Sequence, residues 1–374
     1  MNILTKCVHG EEVNIEKNGG VLTPIYTSTA YDYLDSGPLN YPRYFNTINQ
    51  KEVADKIKIL EKGEFGLVFS SGMAAITTTL MALLKHGDHA IFQGDIYGGT
   101  HYAVSQELKK FGIEVSFTDD ITDDSFRKLL KENTKAVYIE TPSNPLLKIV
   151  NLKEIVAMCK SRDLISIIDN TFASPINQTP IFWGIDVVTH SGTKYLGGHS
   201  DITCGAVVTS NELGDKIYKT AVNLGGSLDP QTCYLLDRSL KTLALRVRQQ
   251  NSTAQEIAEF LKDSGKVNGV YYPGLKDHPG HEVANEQMNG FGGMLSFEVK
   301  GDADEFVKKL QLIKPAISLG GVETTISSPV KTSHSKLTDE ERKKAGIKDS
   351  LLRLSVGIED STDLIADLKK ALKS

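Results

Sequence analysis

Short apolar runs alternate with helix-spaced segments through the middle of the chain. FGLVFS (65–70), HAIFQ (89–93), IEVSF (113–117), AVYIE (136–140), ISIID (165–169), DVVTHS (186–191) and GAVVTS (205–210) read as strands. Between them SGMAAITTTLMALLK (71–85), THYAVSQELKKF (100–111), DDSFRKLLKEN (123–133) and LKEIVAMCKSR (152–162) carry the apolar spacing of helices. Strands separated by helical segments of about 10–15 residues predict an α/β fold, a mostly parallel sheet covered by helices on both faces. Just upstream, Val53, Ile57 and Leu60 place a helix over 49–62. Before residue 45 no period is evident, and Gly19, Gly20, Pro24, Gly37, Pro38 and Pro42 predict an extended, irregular arm.

The pattern changes towards the C-terminus. A long helical stretch over 235–263 leads to GMLSFEV (293–299), DEFVKKLQL (304–312), AISLGG (316–321), LLRLSVGI (351–358) and a last helix over 360–373, which together suggest a smaller α+β domain. The segment 331–348 is polar and reads as exposed. The expected division is an arm over 1–48, a large domain over 49–234 and a small domain over 235–374.

Composition narrows the function classes. A 374-residue chain that is 40% hydrophobic and 24% charged can bury a sizeable core, and a net charge of −5 offers no polybasic face for nucleic acid or membrane. Cys7, Cys159, Cys204 and Cys233 form no CxxC pair, so they are expected as reduced, buried thiols without a metal. No run approaches the roughly 18–20 apolar residues that cross a bilayer, and the first residues lack the apolar core of a signal peptide. The expected location is cytoplasmic.

The segment DVVTHSGTKYLGGHS (186–200) runs from an apolar strand into a glycine-rich turn and carries Lys194 where an exposed lysine is out of place. Enzymes that use a lysine amine bury it or set it beside positive charge, because an ordinary lysine is protonated. Ser191 and Thr193 put hydroxyls beside it. Residue by residue (Asp186, Val187, Ser191, Thr193, Lys194, Tyr195, Leu196, Gly198, His199, Ser200) this segment resembles the pyridoxal 5'-phosphate (PLP) attachment motif of the transsulfuration, or Cys/Met-metabolism, family. That family includes cystathionine γ-lyases, β-lyases and γ-synthases and methionine γ-lyases, and the likeness covers nearly the whole chain.

The resemblance implies the aspartate-aminotransferase-like fold of PLP enzymes (fold type I), with Lys194 tethering PLP as a Schiff base. The strand-to-helix turn SSGMAA (70–75) suits an anion, since helix N-termini present free N–H groups, and Gly72 and Met73 are expected to take the phosphate with Ser191 and Thr193. Tyr97 in GDIYGGT is expected to stack on the ring. Asp169 ends an apolar strand, where open α/β sheets bind ligands, and is expected to hold the ring nitrogen protonated, with Thr171 behind the ring. Asn144 is expected at the phenolic oxygen. Arg353, inside the apolar run LLRLSVGI, calls for a carboxylate partner; the resemblance makes that the substrate's, with Ser318 and Thr332 assisting. Tyr41 and Arg43 are expected to reach the phosphate of a neighbouring subunit, in a homotetramer built as a dimer of dimers.

The activity so implied is a PLP-dependent carbon–sulfur lyase acting on cystathionine, cysteine, homocysteine or methionine, with Lys194, Tyr97 and Asp169 as its catalytic set. A cystathionine γ-synthase condensing an O-acylhomoserine with cysteine, and a PLP-binding protein without turnover, stand as alternatives. Three positions depart from common family patterns: Asn46-Thr47-Ile48 lacks a proline, Gly99 replaces the cysteine typical of methionine γ-lyases, and Ile317 stands where many γ-enzymes have glutamate.

Overall fold

A computed structural model describes residues 1–11, 20–34, 37, 39–118, 120–333, 335, 338, 340, 342 and 345–373. Gly19 and Pro38 of the expected arm, and part of the polar 331–348 segment, lie outside the described residues.

Among the described residues, β1 (Phe65–Phe69), β2 (His89–Phe92), β3 (Glu114–Phe117), β4 (Thr134–Glu140), β5 (Ile165–Asp169), β6 (Val187–Ser191) and β7 (Gly205–Thr209) form one sheet in the order β1-β7-β6-β5-β4-β2-β3. Strands β3, β2, β4, β5 and β6 pair in parallel, and β7 runs against both its neighbours. Both faces are buried. Leu67, Phe69, Tyr138, Ile167, Val187 and Val207 pack on one side, and Val68, Val137, Ile139, Ile168, Val188 and Val208 on the other. A side-chain period of two with apolar residues in both phases explains why these strands read as unbroken apolar runs.

A second sheet holds β8 (Val267–Tyr271), β9 (Met294–Val299), β10 (Lys314–Pro315), β11 (Thr325–Ser327) and β12 (Leu351–Ser355), in the order β10-β11-β12-β9-β8. Leu295, Phe297, Leu352 and Leu354 pack on Ala254, Ile257, Ala258 and Leu261 of the helix Leu243–Asp263. The first turns of that helix, through Leu243, Ala244 and Val247, belong to the core under the large sheet. One helix therefore runs through both cores.

Several elements differ from the sequence expectation. The N-terminal arm contains a helix, α1 (Ile3–His9), too short to show a period, which seats Cys7 in the main core. The helix expected over 49–62 forms as α2 (Ile48–Glu61). Gln50 Oε1 accepts from the backbone N–H (3.1 Å) and the hydroxyl (2.9 Å) of Thr47, so Thr47 starts the helix where the family often has proline. The segment over 100–111 is helical in three short pieces of different pitch. The 123–133 helix is confined to Asp123–Arg127. The stretch over 235–263 is split into Pro230–Leu240 and Leu243–Asp263. At that break the Arg246 guanidinium takes the Ser239 carbonyl (2.9 Å) and the Thr242 hydroxyl (3.2 Å), replacing helical partners.

Candidate active site

Parallel strands bring their carboxyl ends to one edge of a sheet, and here that edge carries the chemistry. Strand β4 ends on Glu140, β5 on Asp169 and β6 on Ser191, while β1 leads through Ser70 and Ser71 into α3 (Gly72–Leu83). A cavity of about 530 Å³ opens there, lined by Gly72, Met73, Tyr97, Asn144, Asp169, Thr171, Ser191, Thr193, Lys194, Ser318, Thr332 and Arg353. Every expected site residue except Tyr41 and Arg43 is among them.

The start of α3 is fitted to β6. Ser71 caps the helix by accepting the Ala74 N–H (3.0 Å), which leaves the N–H groups of Gly72 and Met73 without a partner inside the helix. A side chain at Gly72 would sit 2.8 Å from Ser191 Cβ, so only glycine lets the helix end approach the strand. Ser191 is held from behind, its N–H donating to the Thr171 hydroxyl (2.8 Å). The Thr193 hydroxyl accepts from Cys204 N–H (3.0 Å). Free N–H groups and the Ser191 hydroxyl converge as an anion seat, beside the Thr193 hydroxyl, which donates to the Cys204 carbonyl at 3.3 Å.

Lys194 follows within the same turn. Its Nζ donates to Ser318 Oγ (2.8 Å), and no described carboxylate pairs with it. Burial first, then the nearby Arg353 cation, lower its pKa from the usual 10.5 to about 8, with Asp169 opposing them. The turn is clamped from outside by Arg246, which donates to the Tyr195 carbonyl at 2.9 Å. Asp169 Oδ1 accepts the Thr171 N–H (3.0 Å), and burial raises its carboxyl despite that bond and the Lys194 and His190 charges.

Arg353 projects from β12 between the core residues Leu352 and Leu354, and so faces away from the small core. It is 5% exposed. Its Nη1 donates to Asn144 Oδ1 (3.0 Å) and Nη2 to the Ser318 carbonyl (3.2 Å), but its Nε, also buried, has no partner. A buried guanidinium with neutral partners and an unused N–H is a receptor for a carboxylate. Ser318 itself stands at φ 78°, a conformation that aims both its hydroxyl and its carbonyl at the two cations.

Tyr97 lies at the mouth, 46% exposed. A Cβ at Gly99 would come within 2.5 Å of the Tyr97 ring, so the glycine that replaces the methionine γ-lyase cysteine makes room for this ring position. Ile317 is 74% exposed at the same mouth. Thr332 turns its hydroxyl onto the Ser328 carbonyl (2.8 Å). Tyr41 and Arg43 lie outside this chain's cavity: Arg43 donates to the Val222 carbonyl and stacks over Tyr44 at 5.1 Å.

Glu140 was missed by the sequence reading. It lines the cavity beside Asp169 and ends an apolar strand in the same way, which was the available signal. The residues present fit PLP: an amine without a carboxylate partner, an anion seat that a Cβ at Gly72 would close, a strand-end carboxylate and an unsatisfied guanidinium. Among the described residues no helix is long and apolar enough to cross a membrane.

Comparison with known proteins gives one family. The profile described as "Cys/Met metabolism PLP-dependent enzyme" matches residues 4–373. The chain is 44% identical to a cystathionine gamma-lyase of Bacillus subtilis, over 99% of both chains. It is 45% identical to a cystathionine beta-lyase of Lactococcus lactis, over 100% of this chain and 99% of that one. A crystal structure of cystathionine gamma-lyase from Lactobacillus plantarum complexed with L-serine superposes with a TM-score of 0.96 at 40% identity, covering 100% of this chain and 99% of the other.

Proposed function

Because the chain belongs to the Cys/Met metabolism PLP-dependent enzyme family, we propose that it is a lyase that breaks the C–S bond of cystathionine or a related sulfur amino acid. With one water consumed, the products are a thiol, ammonia and an oxo acid. The observation that carries this reading is the pairing, within one cavity, of a half-buried Lys194 amine with a buried Arg353 that lacks a carboxylate.

Gly72, Met73, Ser191 and Thr193 would take the phosphate of PLP, Asp169 its ring nitrogen, Asn144 its phenolic oxygen and Lys194 its aldehyde carbon. When bound, PLP supplies an electron sink for the substrate's Cα. Arg353 binds the substrate α-carboxylate, with Ser318 and Thr332 beside it, and so fixes which bond at Cα faces Lys194. Lys194 Nζ removes the α-proton, favoured by the burial that already disfavours its cation. Asp169 would hold the proton on the ring nitrogen. Lys194 or Tyr97 returns a proton to the departing sulfur side. Tyr41 and Arg43 would serve a neighbouring subunit's phosphate in a homotetramer, a reading supported by their lying outside this chain's own cavity. The proposed compartment is the cytoplasm, in keeping with four free, buried cysteines.

Near-equal identity to a gamma- and a beta-lyase leaves the bond to be cut to an assay. Cystathionine alone should yield either cysteine with 2-oxobutanoate or homocysteine with pyruvate. Cystathionine formation from an O-acylhomoserine and cysteine, without cleavage, would establish a synthase instead. A bound cofactor with no turnover on any of these would establish an inactive binder.

Ile317 bears on substrate choice, because an apolar residue at the mouth offers no partner to the distal ammonium of cystathionine. Ile317→Glu should raise kcat/KM for cystathionine over methionine. The position is largely exposed, so the gain is small, about two- to fivefold, as for a solvated ion pair. An unchanged ratio would remove Ile317 from the specificity determinants.

A further inference from the structure

Glu140 and Asp169 are direct partners in the parallel register of β4 and β5, so their side chains leave the sheet on the same face. Both line the cavity, and Glu140 is only 4% exposed. Two carboxyls that share a cavity wall shielded from water disfavour each other's ionisation, and their surroundings decide which is disfavoured more. Asp169 accepts the Thr171 N–H and faces the Lys194 amine. Glu140 faces Asp169 from β5, Asp95 from the loop after β2, and Arg353 from β12, so two of its three charged neighbours are negative. Burial and then Asp169 push its carboxyl well above the usual range.

Glu140 also controls the segment that carries Tyr97. Its Oε2 accepts the Tyr97 backbone N–H at 2.8 Å. Its own N–H donates to Gln93 Oε1 (3.0 Å), Gln93 Nε2 to Asp95 Oδ1 (2.8 Å), and the Ser143 hydroxyl to Asp95 Oδ2 (2.8 Å). The strip Gln93–Tyr97 is thereby tied at both ends to the end of β4. We propose that Glu140 is a positioning residue working as a neutral acid: it latches the Tyr97 backbone to the cavity wall and leaves the negative charge of that wall on Asp169. Against a charged carboxylate at this position, a neutral one keeps the acceptor that Tyr97 needs without competing with Asp169 for the proton on the ring nitrogen. The inference rests on the PLP reading of the cavity.

The test compares Glu140→Gln and Glu140→Ala with the wild-type holoenzyme. Gln keeps an oxygen acceptor and cannot ionise; Ala removes the acceptor. Ala should lower kcat by about a hundredfold, as for a displaced catalytic group, with KM changed by less than about threefold. Gln should recover at least about tenfold of that loss and keep the pH midpoint of the visible cofactor band within about half a unit of wild type. Infrared spectra should show a protonated-carboxyl stretch in wild type that Gln abolishes. Gln as damaging as Ala, a midpoint moved by about one unit or more, or no infrared difference would each overturn the proposal. A wild-type protein with no visible band would fail the PLP reading instead, and the infrared comparison, which needs no cofactor, would still report on Glu140.

Discussion

Lys194→Ala is expected to lower kcat for C–S cleavage by about ten-thousandfold, the upper end of what a positioned acid–base group supplies. The size follows from the site: among the described residues Nζ is the one amine on the cavity wall, and its neighbours Ser318 and Arg353 cannot take a proton from Cα. Borohydride reduction followed by peptide mapping should attach a pyridoxyl label at Lys194 in the wild type and none at that peptide in the variant. The pH behaviour has a defined sign. With its pKa lowered to about 8, the cofactor-free amine is about one-tenth neutral at pH 7, against roughly one part in three thousand for a lysine at 10.5. Capture of added PLP by the cofactor-free chain should therefore accelerate between pH 7 and 9 and level off above, which stopped-flow absorbance would follow. A midpoint near 10 would mean that burial does not lower this amine.

Arg353→Met should raise KM and cut kcat/KM by about a hundred- to a thousandfold, since losing one partner of a buried, hydrogen-bonded charge pair costs about 2–5 kcal/mol. Arg353→Lys should fall between, keeping the charge and losing the fork that binds both carboxylate oxygens. Asn144 and Ser318 would keep their places in the wall but lose a donor each, so kcat should suffer less than KM. Steady-state kinetics on cystathionine read this directly; a defect confined to kcat would mean that the guanidinium acts on the reacting atoms rather than on the carboxylate.

Legibility in the sequence followed contiguity. The turn from Ser191 to Ser200 could be read because Ser191, Thr193 and Lys194 enter the cavity from nearly successive positions within one contiguous motif, and the large-sheet strands because both their faces are apolar. What depended on distant pairing was hidden. Asp169 and Glu140 end look-alike runs, but only the register of β4 and β5 makes them neighbours. Arg353 and Asn144, 209 positions apart, were expected in one site through family likeness alone, and the hydrogen bond between them was not expected. The short helix Ile3–His9 was hidden for another reason: seven residues give two turns, too few for a period to emerge from an irregular segment. The break at Lys241 and Thr242 was hidden because both flanks carry good helical spacing, and the guanidinium that bonds the Ser239 carbonyl there comes from Arg246, beyond the break.

The helix Leu243–Asp263 passes without interruption from the core below the large sheet into the core of the small one. A continuous rod of 21 residues resists bending, so a swing of one sheet against the other would have to tear packing at one of its ends. Differences in the shape of the site then fall to the side chains at the rim, such as Tyr97 and Ile317. Adaptation to a bulkier or smaller thioether should accordingly proceed by exchange of rim side chains, with the frame behind them left as it is.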